Sequence, residues 1–182
     1  DGVDLIETMR PYRPEDLGAR IRLIWEGAEY RGRARTTVWD GALNIVGNQI
    51  CRAEVINNWN LDRGIQSQDE HRITWKAITT GNFGGLDLWL DKAADGQLAI
   101  ETHHVRREMA IGDVGFADII ADAGGLERRM RFYRLPETLE ETRVSLRRTV
   151  RLRQTSDTRV YVRVTQEDGH RAWSSPIYLF RK

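Results

Sequence analysis

Two carboxylates, Asp87 and Asp91, stand four residues apart in the strand-like run Leu86-Asp87-Leu88-Trp89-Leu90-Asp91. Strand spacing puts both on one face, and a carboxylate pair is the equipment of general acid–base catalysis. Such pairs more commonly form the solvated surface of a sheet. A small enzyme built on Asp87 and Asp91 therefore ranks third among the readings below.

A metal centre would have to draw on His71, His103, His104 and His170, with Cys51 as the single thiol. Neighbouring residues of a strand point to opposite faces, so His103 and His104 do not converge on one ion. No His-x-His, Cys-x-x-Cys or His-Glu-x-x-His spacing occurs. Asp87, Asp91 and Asp95 lack the order of a calcium loop. Neither a metal nor another cofactor is expected in this chain. Ser174-Ser175 precedes Pro176 without a nucleophile elbow, and Gly81, Gly84 and Gly85 lack the Lys-Ser/Thr of a phosphate loop.

The aromatic and basic residues offer more. Trp25, Trp75 and Trp173 are in phase with apolar neighbours and read as packing. Trp39, Trp59 and Trp89 are out of phase. Trp39 shares a strand face with Arg31, Arg33, Arg35 and Thr37, a stripe of guanidinium groups ending in an indole. Indoles stack on sugar rings or bases, and arginine grips carboxylate or phosphate with two hydrogen bonds. The plainer alternative is contact with a neighbouring domain or subunit, where Trp and Arg are favoured.

The elements that must position these groups are short strands. Val160 to Leu179 alternates apolar and polar residues on both sides of Asp168-Gly169, a strong hairpin signal. A two-residue turn there sets Val164 against Trp173, Val162 against Ser175 and Val160 against Ile177, on a core face. Pro176 has no amide hydrogen, so its strand is expected at an edge or bulged. A second pair, Asp40-Gly41, suggests a hairpin with Val38 opposite Leu43 and Thr36 opposite Ile45.

Ile21, Leu23 and Trp25 share a face, as do Ile73, Trp75 and Ala77, then Leu86, Leu88 and Leu90, then Leu98 and Ile100. A two-residue turn at Asp95-Gly96 would put the last two runs out of phase, so a longer loop or bulge is expected there. Phe116, Ile119, Ile120 and Ala123 fit helical spacing, with Gly124-Gly125 as a C-cap, though a buried strand is the alternative. Leu126 to Leu135 reads as a strand stopped by Pro136. Val144, Leu146, Val150 and Leu152 continue the alternation.

About ten short strands with at most one or two short helices predict a mostly β, antiparallel β-sandwich. Residues 1–18, interrupted by Pro11, Pro14 and Gly18, read as a lead-in or linker. Residues 19–182 read as a single sandwich domain. The chain opens at Asp1 without methionine, which suggests the C-terminal part of a longer protein.

Apolar content of 40% supports a sandwich-sized core, and the net charge of +1 gives no reason to expect nucleic acid. No apolar run reaches membrane-span length. Residues 126–182 carry a net charge of +7 and the rest −6. Opposite charges meeting across one sheet account for that asymmetry. A lone cysteine leaves the compartment, cytoplasmic or exported, undetermined.

Three stretches carry a resemblance: Arg20–Gly27 leading to Val38-Trp39-Asp40-Gly41, then Gly124-Gly125-Leu126 with Arg134-Leu135-Pro136, and Tyr161 through Ile177. Together they resemble the C-terminal β-rich region of uncharacterised bacterial proteins whose N-terminal part is similar to PHP-type metal-dependent phosphoesterases. The resemblance implies an accessory domain, because the metal site of such proteins belongs to their N-terminal barrel. Its partner would be an upstream catalytic domain of the same chain or a second subunit.

The leading expectation is thus a non-catalytic module of a larger hydrolase, acting in domain packing, assembly or substrate access. The rival is a carbohydrate- or anion-binding module using Arg31, Arg33, Arg35, Trp39, Trp59 or Trp89.

Overall fold

The computed structural model describes residues 17–30, 32, 35–136, 145, 147, 149–154, 156–165 and 171–180. Contacts divide the chain into two compact units, Asp1–Glu140 and Glu141–Lys182.

Among its described residues the first unit holds twelve strands: β1 (Leu17–Ala28), β2 (Thr37–Val38), β3 (Gly41–Val46), β4 (Ile50–Ile56), β5 (Gly64–Gln68), β6 (Arg72–Lys76), β7 (Ile78–Thr79), β8 (Phe83–Leu90), β9 (Gln97–Thr102), β10 (Arg106–Ala110), β11 (Ile119–Asp122) and β12 (Leu126–Pro136). One five-stranded sheet runs in the order β11-β12-β1-β8-β4, the other β10-β9-β3-β6-β5, and all pairs are antiparallel. Ile21, Leu23, Trp25, Leu86 and Leu88 of the first sheet share one core with Leu43, Ile73, Trp75, Leu98 and Ile100 of the second. The mostly β, antiparallel class expected from the alternation is what the chain adopts.

Trp25 and Trp75 meet face to face between the sheets, their rings 5.6 Å apart and 3° from parallel. Stacked aromatics contribute about 0.5–1.5 kcal/mol beyond the area they bury. Room for the rings comes from glycine. A side chain on Gly84 would begin 2.5 Å from Trp25 Nε1, and one on Gly41 would begin 2.7 Å from Trp75 Cζ2.

That role for Gly41 overturns the Asp40-Gly41 hairpin. Gly41 lies outside the positive-φ region that a type I′ turn requires of both central residues. β2 pairs with β7, while β3 pairs with β6 and β9. The Asp40 carboxylate accepts from Ala77 N at 3.0 Å, and Trp39 N donates to Ala77 O at 2.8 Å. The chain crosses between pairings here and does not reverse.

The link at 91–96 is also a crossover, since β8 and β9 belong to different sheets. Asn48, buried between β3 and β4, ties this crossover to its own. Its Nδ2 donates to Lys92 O and Asp95 O, both at 2.7 Å, and its Oδ1 accepts from Gln49 N and Lys92 N.

Of the helix and the strand considered for 116–123, the strand forms, as β11 over Ile119–Asp122, with Ile119 opposite Phe132 and Ile120 opposite Arg131. β-branched residues suit a pleated edge as well as a helix face, so periodicity over so short a run does not decide between them. A 3-10 turn at Ile111–Asp113 precedes it. Gly124 and Gly125, at φ 71° and 65°, form the β11–β12 turn, with Glu127 also left-handed at 53°.

The second unit holds β13 (Thr158–Val160), β14 (Arg163–Thr165), β15 (Arg171–Trp173) and β16 (Ile177–Leu179). Val160 opposes Ile177, as expected. Trp173, however, opposes Arg163, one residue off the expected register. The extra residue sits at 174–176, beside the proline that cannot donate. Val162 N turns to Ser174 Oγ at 3.0 Å, and Ser174 N donates to Val162 O at 2.9 Å. This bulge takes Trp173 off the expected face. The core assignment fails with it: Trp173, Val162, Val164 and Ile177 are all more than half exposed, and Ser175 is exposed too. Asp168-Gly169, Val144 and Leu146 lie outside the described residues, while Val150 and Leu152 are exposed and outside any strand.

Gly85 gives the sharpest test of this packing, because its added Cβ would lie 2.2 Å from the Leu23 carbonyl oxygen on β1. Gly85→Ala is expected to lower the free energy of urea unfolding by about 3 kcal/mol through overpacking. A variant as stable as the parent contradicts the close β1–β8 approach.

Candidate functional site

The first sheet turns a charged face away from the core. Asp87 on β8 opposes Arg22 on β1 in the ladder. Arg22 Nε donates to Asp87 Oδ1 at 2.6 Å and Nη2 to Oδ2 at 2.7 Å, while Arg20 Nη2 also donates to Oδ2. Arg22 and Asp87 are each only 3% exposed. A carboxylate held by two guanidinium groups is fixed as an acceptor and is not offered to a substrate. Asp91 lies beyond the end of β8 and is exposed, so the two carboxylates do not form the acid–base pair considered from sequence.

Trp89, half-buried on the same face, sits between Arg20 and Arg52, whose guanidinium carbons lie 4.7 and 4.6 Å from its ring centroid. Arg52 pairs in turn with Glu54. The indole is a cation–π spacer between two anchored cations. Further along the sheet, Arg129 and Arg131 of β12 meet Glu26, and Arg131 meets Asp118. These pairs join two arginines of the 126–182 portion to earlier acids.

Trp39 does not stand on an exposed face. Trp39 is fully buried, with Nε1 donating to Thr79 Oγ1 at 2.9 Å and its carbonyl accepting from Trp75 Nε1 at 2.7 Å. It follows β2 directly and continues toward β7's side through Trp39 N to Ala77 O, and Thr37 is buried as well. Arg35 is exposed and donates to Thr80 O at 2.9 Å. Arg31 and Arg33 lie outside the described residues.

Of the three out-of-phase tryptophans, Trp59 alone stands open, 88% exposed in the β4–β5 connection. What holds it was not legible beforehand: Asn57, which accepts from its Nε1, is itself tied to Phe83 O, a partner that only the tertiary fold supplies. The same end of the sandwich has a small cavity of about 20 Å³, lined by Trp25, Asn57, Asn58, Trp75 and Lys76 among others. It has room for one water. Among the described residues no three His, Cys, Asp or Glu side chains gather as metal ligands, and no helix is long and apolar enough to cross a membrane.

His104 was missed as a structural group. Its ring meets the Trp39 indole edge-on, with centroids 5.3 Å apart. Burial lowers its pKa from the usual 6.5, and the charges of Arg128 and His103 push the same way, against an opposing pull from Glu29.

A histidine whose folded pKa is depressed takes up its proton more readily when unfolded. Its contribution to stability is therefore complete above pH 6.5 and declines as pH falls toward the folded value. Urea unfolding between pH 7.5 and 5.5 should show this loss, and His104→Phe should flatten it while keeping the contact on Trp39. An unchanged pH slope in the variant contradicts the assignment. In comparisons with known proteins, no family model, curated protein or solved structure matches this chain.

Proposed function

We propose that this chain is a non-catalytic β-sandwich module of a larger metal-dependent hydrolase of the PHP-like kind, serving domain packing, assembly or substrate access. The observation that carries this reading is the apolar surface of the second unit. Val162, Val164, Trp173, Ile177 and Phe180 are each more than half exposed on or beside two-stranded pairs. Two-stranded pairs are marginal alone and gain stability by packing on a further surface. Exposed aromatic and aliphatic residues on such pairs fit contact with a catalytic domain or a second subunit.

The state of the chemistry-bearing residues supports the same reading. Asp87 is spent on Arg20 and Arg22, Trp39 on the core, and Trp89 on its flanking arginines. The resemblance assigns metal chemistry to an N-terminal barrel, and no residue of this chain is given a part in it.

Hydrolysis of p-nitrophenyl phosphate and its diester with added manganese or zinc should not exceed the metal-only blank. Turnover abolished by a chelator contradicts the proposal. The exposed apolar residues of the second unit should also bind anilinonaphthalene sulfonate, and Trp173→Ser with Ile177→Ser should remove most of that fluorescence. A native chain that leaves the dye dark has no such surface to offer.

A further inference from the structure

The β4–β5 connection, residues 57–63, turns its most apolar side chains outward. Trp59 is 88% and Leu61 101% exposed. A lone exposed apolar residue needs no explanation. An exposed indole that the loop holds in place does.

The bracing starts at Asn57, whose φ of 55° is a left-handed value that asparagine tolerates better than most residues. Its Nδ2 donates to Phe83 O at 2.6 Å, on the neighbouring strand, and its Oδ1 accepts from Trp59 Nε1 at 2.8 Å. Asn58 Nδ2 donates to Asn60 O at 3.2 Å and Arg63 O at 3.1 Å. Asn60 Oδ1 accepts from Asp62 N at 3.0 Å, and Asn60 O from Arg63 N at 3.1 Å. The loop is built from its own amides, and the ring they fix loses little freedom when a ligand arrives.

The chemistry left open selects the ligand. The only polar atom of the indole is spent on Asn57, so a ligand must meet the ring by its faces. Faces of this kind accept sugar rings, bases or cations. Among the described residues, Asn58 Oδ1, Asn60 Nδ2 and the Asp62 carboxylate have no hydrogen-bond partner, which leaves acceptors and a donor suited to hydroxyl groups. Nucleic acid would require several cations against its phosphates, whereas Arg63 is the only cation of the loop and is balanced by Asp62. A lipid surface favours apolar residues flanked by Lys and Arg, and here it would desolvate three asparagines and an aspartate. Leu61 adds apolar surface in the same loop for the C–H face of a sugar.

We propose that Trp59 is the stacking platform of a saccharide site, taking neutral pyranose oligosaccharides, with Asn57 as its positioning residue and Asn58, Asn60 and Asp62 as hydroxyl partners. The site stands independently of any hydrolase alongside it.

The test titrates the full 182-residue chain with neutral hexasaccharides: β-1,4-linked glucose, xylose, mannose and N-acetylglucosamine, and α-1,4-linked glucose. Binding is followed by tryptophan emission and affinity electrophoresis. At least one hexasaccharide should bind with a blue shift. Trp59→Ala should weaken it roughly tenfold or more, and Trp59→Phe should recover part of the loss. Asn57→Gly keeps the backbone conformation and frees the indole. It should lower affinity while lowering the emission anisotropy that Trp59 contributes. No binding to any of the five at millimolar concentration, or equal binding by Trp59→Ala, overturns the proposal. So does Trp59-dependent sedimentation with phosphatidylglycerol vesicles in place of saccharide binding.

Discussion

The first unit depends on how β1 is held. It is the middle strand of its sheet, between β12 and β8, and both of its faces are buried. One face supplies Ile21, Leu23 and Trp25 to the shared core, and the other carries Arg22 opposite Asp87. A one-residue slip would exchange those faces. It would put a guanidinium group into the apolar core and an indole among the charges. The Arg22–Asp87 pair therefore does for register what the Trp25–Trp75 stack does for the spacing of the two sheets. Breaking a buried pair of this kind costs about 3–5 kcal/mol, although an apolar replacement of both partners is often neutral. Its value lies in choosing one pairing over another.

That constraint bears on function because it engages several of the residues singled out from the sequence. The cross-strand ladder takes the carboxylate of Asp87 and the faces of Trp89, while the core takes Trp39. Exposed tryptophans, among the described residues, stand in two places. The loop at 57–63 keeps Trp59 in solvent, and the short strands of the second unit keep Trp173, Ile177 and Phe180 there. Asparagine makes the connections rigid. Asn48 closes two crossovers with four hydrogen bonds, and Asn57 fixes an indole while tying its loop to β8.

Alternation made much of the first unit legible. Ile21, Leu23, Leu86, Leu88, Leu98 and Ile100 are inside, and Leu126 to Pro136 is one long strand. Errors arose where a residue had a second use. Gly41 supplies missing volume under Trp75 and no turn, so an Asp-Gly pair became a crossover. Ser174 replaces a ladder bond with its hydroxyl near Pro176. The proline was visible in the sequence, but the direction of the one-residue shift was not. Trp39 looked out of phase because phase was counted along a hairpin that does not exist. Trp59 was legible as exposed, since it lies in a polar run, yet its bracing depends on Phe83, twenty-odd residues away in sequence.

The most direct test of this account is a double-mutant cycle on the clamp, measured as urea unfolding of Arg22→Met, Asp87→Leu and the combined variant. If the pair is structural and serves register, each single change should cost about 3 kcal/mol or more. The double variant should then be clearly more stable than the sum of the two losses implies, because no uncompensated charge stays buried between them. Losses that simply add would show that Arg22 and Asp87 act separately, and would contradict the claim that their contact holds β1 in place.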